Sequence, residues 1–452
     1  IIPGNGNISM TGITNATSGV AFQMTNALDI VNNGTSGNVN IVGYANRSSV
    51  DGIRINNSNI TASGGGNVSL IGQSNGGQGV NVTGTQNILN NGTGTVSVYG
   101  RSFNQTGILY NILNLNNTGN GSVSVLGVSD MLGDNYKGLE FTGAVGIINN
   151  GTSGNVSLTG YTNVAVGSFV EALRIRSGIT VCTSSAGNTS LRGISNGDDG
   201  IAITGNAVFR NTGSGVLSVY GSSNTSSGLN MTAGALSVIN SGNGSSSVLG
   251  LTNGASASYG VIVSGAGSIV NNGTSGNVDI AGYANRSIGQ NGFNIQGAVN
   301  ITNDSNGNLT ITARDVGNSG TSALFLSNSD ANITNRGNGN LTISAVSDAG
   351  YGLYAGAYLN LTNSGNGTMC VSGVTPNSTT NDPEFGADDG NASSDGPEVL
   401  NGVTRTSPRP SPHFAPPTPQ NAEREKRSPR PVPLPPPVIR RPKIGRASCR
   451  ER

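Results

Sequence analysis

Tryptophan is absent from this 452-residue chain, histidine occurs once, aromatics make up 4% of residues and charged residues 10%. So little charge excludes the ordinary disordered chain, which is held open by self-repulsion and a lack of apolar residues. A formal net charge of +1 gives no electrostatic pull on nucleic acid or on an anionic membrane surface. No apolar run is long enough to span a bilayer as a helix. A helical period is missing throughout.

Cysteine is equally scarce, with three in all. Cys449 falls in residues 444–452, which read as the translation of a sequencing adapter and are set aside. Cys182 and Cys370 lie about six repeats apart, several times the reach of a disulfide, and no metal-binding motif surrounds either. A site that cleaves polysaccharide needs clustered carboxylates with Arg, Lys or His beside them. The single histidine, His413, stands in a proline-rich stretch, and the acids of the repeats are scattered singly along the chain. The adjacent pair in Gly197-Asp198-Asp199-Gly200 reads as a solvated turn. Calcium-binding nonapeptide repeats would carry an Asp in every unit, and none is so placed. The expectation is a chain without enzymatic activity, cofactor or metal.

What the chain has is repetition. Residues 30–48 return as 269–287 with two changes, Asp279 for Asn40 and Ala281 for Val42, and a third copy begins at Ile147. The glycine opening Gly-Asn-Val-x-Leu/Ile-x-Gly stands at Gly6, Gly37, Gly66, Gly94, Gly121, Gly154, Gly187, Gly215, Gly244, Gly276, Gly307, Gly339 and Gly367, thirteen units spaced 27 to 33 residues apart. Each unit holds three alternating segments, as at 67–70, 79–84 and 87–92. Aliphatics at every second position, bounded by Gly and Asn, mark half-buried strands, and a period near 30 without helix points to a solenoid.

The predicted fold is therefore all-β: a right-handed parallel β-helix of about thirteen rungs with roughly 30-residue repeats, covering residues 1–378. With rungs about 4.8 Å apart, thirteen of them rise about 60 Å. Some five or six inward aliphatics per rung, each contributing about 1.5 to 3 kcal/mol, offset the ordering of a Gly-rich backbone. Asn-Asn-Gly at 32–34, 90–92, 149–151 and 271–273 marks one corner. Gly and Asn accept positive φ there, and stacked Asn amides can form a ladder. Cys182 aligns with that corner Asn, and Cys370 with an outward strand position. Residues 379–400 read as an acidic flexible linker, and 401–443 as a basic, Pro-rich disordered spacer of polyproline II character. The chain opens at Ile1 rather than Met, so a segment preceding it is expected.

One recurring feature carries chemistry. Asn-x-Ser/Thr occurs 29 times, and the candidate glycosylation sites are Asn33, Asn67, Asn81, Asn91, Asn150, Asn155, Asn272, Asn308, Asn340 and Asn366. Turns and outward strand positions already favour Asn, Ser and Thr, and duplication then copies any sequon.

The Asn-Asn-Gly-Thr-Ser-Gly-Asn-Val-x-Leu/Ile units, three strands per coil, abundant sequons and a Pro-rich segment after the repeats resemble the filamentous-haemagglutinin and high-molecular-weight adhesins. These are exoproteins of two-partner secretion in Gram-negative bacteria. The likeness is one of repeat style and covers residues 1 to about 378. It implies an adhesin at the cell surface or secreted, exported through an outer-membrane β-barrel partner and binding a receptor on host cells or other bacteria. It also implies N-glycosylation at sequons before export. The family's N-terminal secretion domain and the paired C-terminal cysteines of some members are not found. Autotransporter passengers are nearly as similar, and the shaft of a contact-dependent inhibition toxin is a further function on the same scaffold.

Overall fold

Inward aliphatics alternate with outward polar residues in strands of seven, three and five residues that recur in that order, each opened and closed by Gly, Asn or Ser. In a computed structural model of the chain the described residues are 5–375, except 48, 131–135, 164–169, 255–257, 286–290, 317–320 and 327–329, plus the backbone of Phe385–Ala387. Among them there are strands and turns but no helix, hence none long and apolar enough to cross a membrane. Thirteen of the long strands, Ile8–Thr14 to Met369–Val374, form one continuous parallel sheet. Each pairs with the strand one repeat before and after it, as in Val39–Ala45 against Val68–Ser74, where Val39 meets Val68 and Gly43 meets Gly72. The short strands make a second face and the five-residue strands a third. The predicted parallel β-helix, its repeat length and its three strands per coil are what the chain adopts.

The chain divides into two units, 1–398 and 399–452. The second unit lies outside the described residues, as does most of the stretch read as linker. Within that stretch, Phe385–Ala387 pairs in parallel with Leu353–Ala355 and adds a strand to the second face.

Six apolar side chains per coil point inward. In one coil they are Leu217, Val219, Leu229, Met231, Leu236 and Val238, all at most 1% exposed. One apolar cluster continues from Leu28 to Val371, so every coil is covered by its neighbours and the core has no break. At the fifth position of the long strand the interior narrows. A Cβ on Gly72 would lie 2.0 Å from the carbonyl oxygen of Gly79, and one on Gly127 would lie 2.1 Å from that of Gly138. Glycine fills most of these places because two backbones touch, with Ala313 and Ala345 standing in the same register in two later coils.

Two polar columns close the corners. The first Asn of each Asn-Asn-Gly is the buried one, and the column continues with Asn in coils that lack that triplet: Asn32, Asn90, Asn117, Asn149, Asn211, Asn240, Asn271, Asn303 and Asn335 are all 0% exposed. Their amides form the expected ladder, Nδ2 donating to Oδ1 of the next coil, from Asn117 to Asn149 at 3.0 Å and from Asn240 through Asn271, Asn303, Asn335 and Asn363 at 3.1 to 3.2 Å. Elsewhere the same nitrogen closes its own turn, as Asn32 does on the carbonyl of Gly37 at 2.8 Å. The second column, not anticipated, is Ser or Thr at the seventh position of most long strands, with Ala45, Ala284 and Asp315 in the same place in three coils. Ser102 Oγ donates to the carbonyl of Gly77 and accepts the amides of Asn104 and Gln105. The Gly-x-Ser/Thr that ends most of the long strands was its available signal.

One alignment needs correction. Cys182 does not occupy the corner Asn position: Thr183 is in register with Asn149 and Asn211, and Cys182 stands outward between Ile148 and Arg210. That repeat is among the longest, and a one-residue slip exchanges inward for outward. Cys370 faces outward as expected, opposite Thr342.

Replacing Asn303 by Ala removes the acceptor of Asn271 and the donor to Asn335. We expect a loss of about 1 to 3 kcal/mol, read as a lower urea midpoint, whereas Asn332→Ala in the exposed ladder on Asn300 should cost well under about 1 kcal/mol. Equal effects would refute the role of the buried ladder.

Candidate functional site

The sequons fall into two structural kinds. Asn33, Asn91, Asn150 and Asn272 are the second residue of the Asn-Asn-Gly corner and are exposed, next to the buried ladder residue. Asn67, Asn155, Asn308 and Asn340 open the long strand and are exposed. Their Oδ1 atoms accept the backbone N–H of the residue one coil on, from Thr95, Asn188, Asn340 and Thr368, at 2.8 to 3.1 Å. Among the described residues, Nδ2 of these eight donates no hydrogen bond. The other two differ. Asn366 is exposed but donates Nδ2 to Asn338 at 2.9 Å. Asn81 is buried, 7% exposed, and donates to Asp51 at 3.0 Å.

One outward stripe gathers charged residues. Where the chain turns from the Ser/Thr corner into the second face, each coil carries a variable residue, then Gly or Ala, and a second variable residue three places after the first. Asp51, Lys137, Glu171 and Asp199 occupy the first place, and Arg54, Asn81, Glu140, Arg174 and Asn230 the second. Asp51, 1% exposed, is held by Arg54 Nε at 2.7 Å, the amide of Gln78 at 2.8 Å and Asn81 Nδ2 at 3.0 Å.

Three coils of this stripe bring charges together. Glu171, 4% exposed, takes Arg174 Nη1 at 2.5 Å, with Lys137 Nζ at 3.7 Å. Glu140, next to Arg174 across the sheet, accepts Arg176 Nε at 2.6 Å. Burial raises the Glu171 carboxyl above its usual range although Lys137 and Arg174 oppose this. It lowers the Lys137 ammonium, against the pull of Glu171 and Glu140. Desolvation of this size offsets most of the Coulomb gain of a buried pair, so the cluster adds little to stability.

Asp199 lies in the next coil and repeats the geometry of Asp51. Its Oδ1 accepts Ser226 Oγ at 2.7 Å and the Ser227 amide at 2.9 Å, and its Oδ2 accepts Asn230 Nδ2 at 2.7 Å. Where Asp51 has Arg54 three residues on, Asp199 has Ala202. Without that cation, burial pushes the carboxyl up to about 7, and Asp198 adds to the shift. The acids are therefore not scattered singly, and Asp199 is not a solvated turn residue. Residues a full repeat apart in the chain are neighbours in space, which a linear reading of single acids does not register. A carboxyl that keeps its proton near neutrality beside paired carboxylates can serve acid–base chemistry or act as an ionic clasp. Among the described residues no group of three or more His, Cys, Asp or Glu is placed to hold a metal.

No family model, curated protein or solved structure matches the chain.

Asp199 titrates at about 7 folded, against an ordinary 3.8. The native state thus keeps a proton that the unfolded chain releases, and its contribution is full below about pH 4 and lost as pH rises through 7. Asp199→Asn should flatten the fall in thermal midpoint between pH 4 and 8. An unchanged slope would show that Asp199 is ionised throughout.

Proposed function

We propose that the chain is the shaft of a secreted or cell-surface adhesin, of the two-partner exoprotein kind, that attaches a Gram-negative bacterium to host cells or to other bacteria. The observation that carries this reading is the division between inward and outward amides. The apolar core and the buried Asn and Ser/Thr columns repeat inside the solenoid, while eight exposed sequon Asn side chains present Nδ2 outward. A glycosyl bond forms at Nδ2 and leaves Oδ1 in place, so Asn67, Asn155, Asn308 and Asn340 can each carry a sugar and still hold the next coil. A surface separable from the fold suits an element that works by projection and by many weak contacts. Nearest-neighbour stacking suits coil-by-coil folding after passage through an outer-membrane β-barrel partner.

The charged cluster favours a second reading, a polysaccharide-cleaving enzyme with Glu171 and Asp199 as its titrating groups. That reading requires Glu171→Gln to abolish release of reducing ends from a polysaccharide by the otherwise folded chain.

For the adhesin, removing residues 66–93 places Gly94 in the register of Gly66. The shortened chain, displayed on a non-adherent bacterium, should stay folded and still confer attachment. Collapse of the distal coils, or no attachment by the intact displayed chain, would refute the reading. In protein from the native host, peptide mapping should find sugar on Asn67, Asn155, Asn308 and Asn340 and none on Asn81. The reverse pattern would show that exposure of Nδ2 does not govern modification.

A further inference from the structure

The outer surface of the long sheet has an order of its own. Tyr44, Tyr99, Tyr161, Tyr220 and Tyr283 recur at every second coil, alternately at the sixth and fourth positions of the strand. All five are half-buried. Two coils rise about 9.6 Å, and the two positions are about 7 Å apart along the strand. Val128, Ile194 and Leu249 fill the places between, and a column of serines at the second position runs alongside.

Every arginine on this surface stands beside one of these tyrosines. Arg101 follows Tyr99 by two residues. Arg192 is in register with Tyr220, its guanidinium carbon 5.6 Å from the ring centroid. Arg314 is in register with Tyr283. Arg101 is neutralised by Asp130 at 2.5 Å, whereas Arg192 and Arg314 form no ion pair among the described residues. Asp279, the other acid on this face, lies in the serine column, and burial raises its carboxyl above the usual range although Thr310 opposes this.

We propose that this strip binds a linear β-1,4-linked glycan bearing carboxylates, lying along the solenoid axis as a flat two-fold ribbon. Such a ribbon turns the same ring face to a surface at every second sugar, a repeat close to the rise of two coils. Its apolar ring faces stack on the tyrosines and aliphatics, and its hydroxyl edge meets the serines. It is broad enough to touch both strand positions. The unpaired Arg192 and Arg314 select an anionic ribbon, since each guanidinium presents a fork of donors that matches a carboxylate. The inference deepens the adhesin reading and rests on it for its meaning to the cell, but its test does not.

The experiment is calorimetric titration of the full chain with an octamer of β-1,4-mannuronate and, separately, with cellohexaose. Binding of the uronate should saturate and weaken with salt. Tyr161→Ala and Tyr220→Ala should each lower affinity about five- to tenfold, with unchanged thermal unfolding because both rings lie outside the core. Arg192→Gln with Arg314→Gln should weaken the uronate and flatten its salt dependence, whereas Asn114→Ala on the third face should change neither. Equal affinity for cellohexaose, with the arginine variants silent, would overturn the anionic class. No saturable binding of either glycan by folded protein would overturn the strip. Binding without attachment in the display assay would instead count against the adhesin reading alone.

Discussion

Parallel stacking in register is the constraint on which the rest of this structure depends. Each side chain sits about 4.8 Å from its counterpart in the next coil, so a position tolerates only residues that are compatible with their own copy. Aliphatics satisfy this by packing, Asn by passing hydrogen bonds from amide to amide, and Ser and Thr by bonding across the corner. Glycine satisfies it where two backbones touch. Lys, Arg, Asp and Glu do not, because like charges at that spacing repel. The 10% charged content of the chain follows from this geometry.

The same constraint explains what was readable in the sequence. Strand type, coil length and the Asn corner were legible because each recurs a dozen times, and Asn32 before Gly34 declares its role through its copies Asn90, Asn149 and Asn271. The Ser/Thr corner was overlooked because its members lie within a chain already full of Ser and Thr, and their distinction is burial, as for Ser102 at 0% exposure. Cys182 was misplaced by one residue because Ile179–Thr183 has no Asn to mark the corner that Thr183 fills. The pairing of Lys137 with Glu171 was illegible without the fold, since nothing in a list of single acids says which of them share a height on neighbouring coils.

Where the chain enters the second face, the stacking rule is relaxed by alternation. Lys137 is followed by Glu171 in one column and Glu140 by Arg174 in the next, so unlike charges fall beside each other, and Asp199, which follows Glu171, is the acid whose carboxyl burial pushes up to about 7. Such an arrangement arises only by divergence between copies. The stripe is thus where individual repeats have acquired separate identities, while the interior has stayed nearly uniform. Asp51 and Asp199 differ in this way, each accepting a backbone amide and an Asn amide from the next coil, but only Asp51 having an arginine, Arg54, three residues on.

The near-identity of residues 30–48 and 269–287 has a genetic consequence. Because both copies enter the stack in the same register, a recombination between the stretches that encode them gains or loses whole coils and never a fraction of one. Every such recombinant keeps a continuous core. Length in this protein is therefore open to rapid inherited change, and a population can sample longer and shorter versions without passing through a sequence that fails to fold.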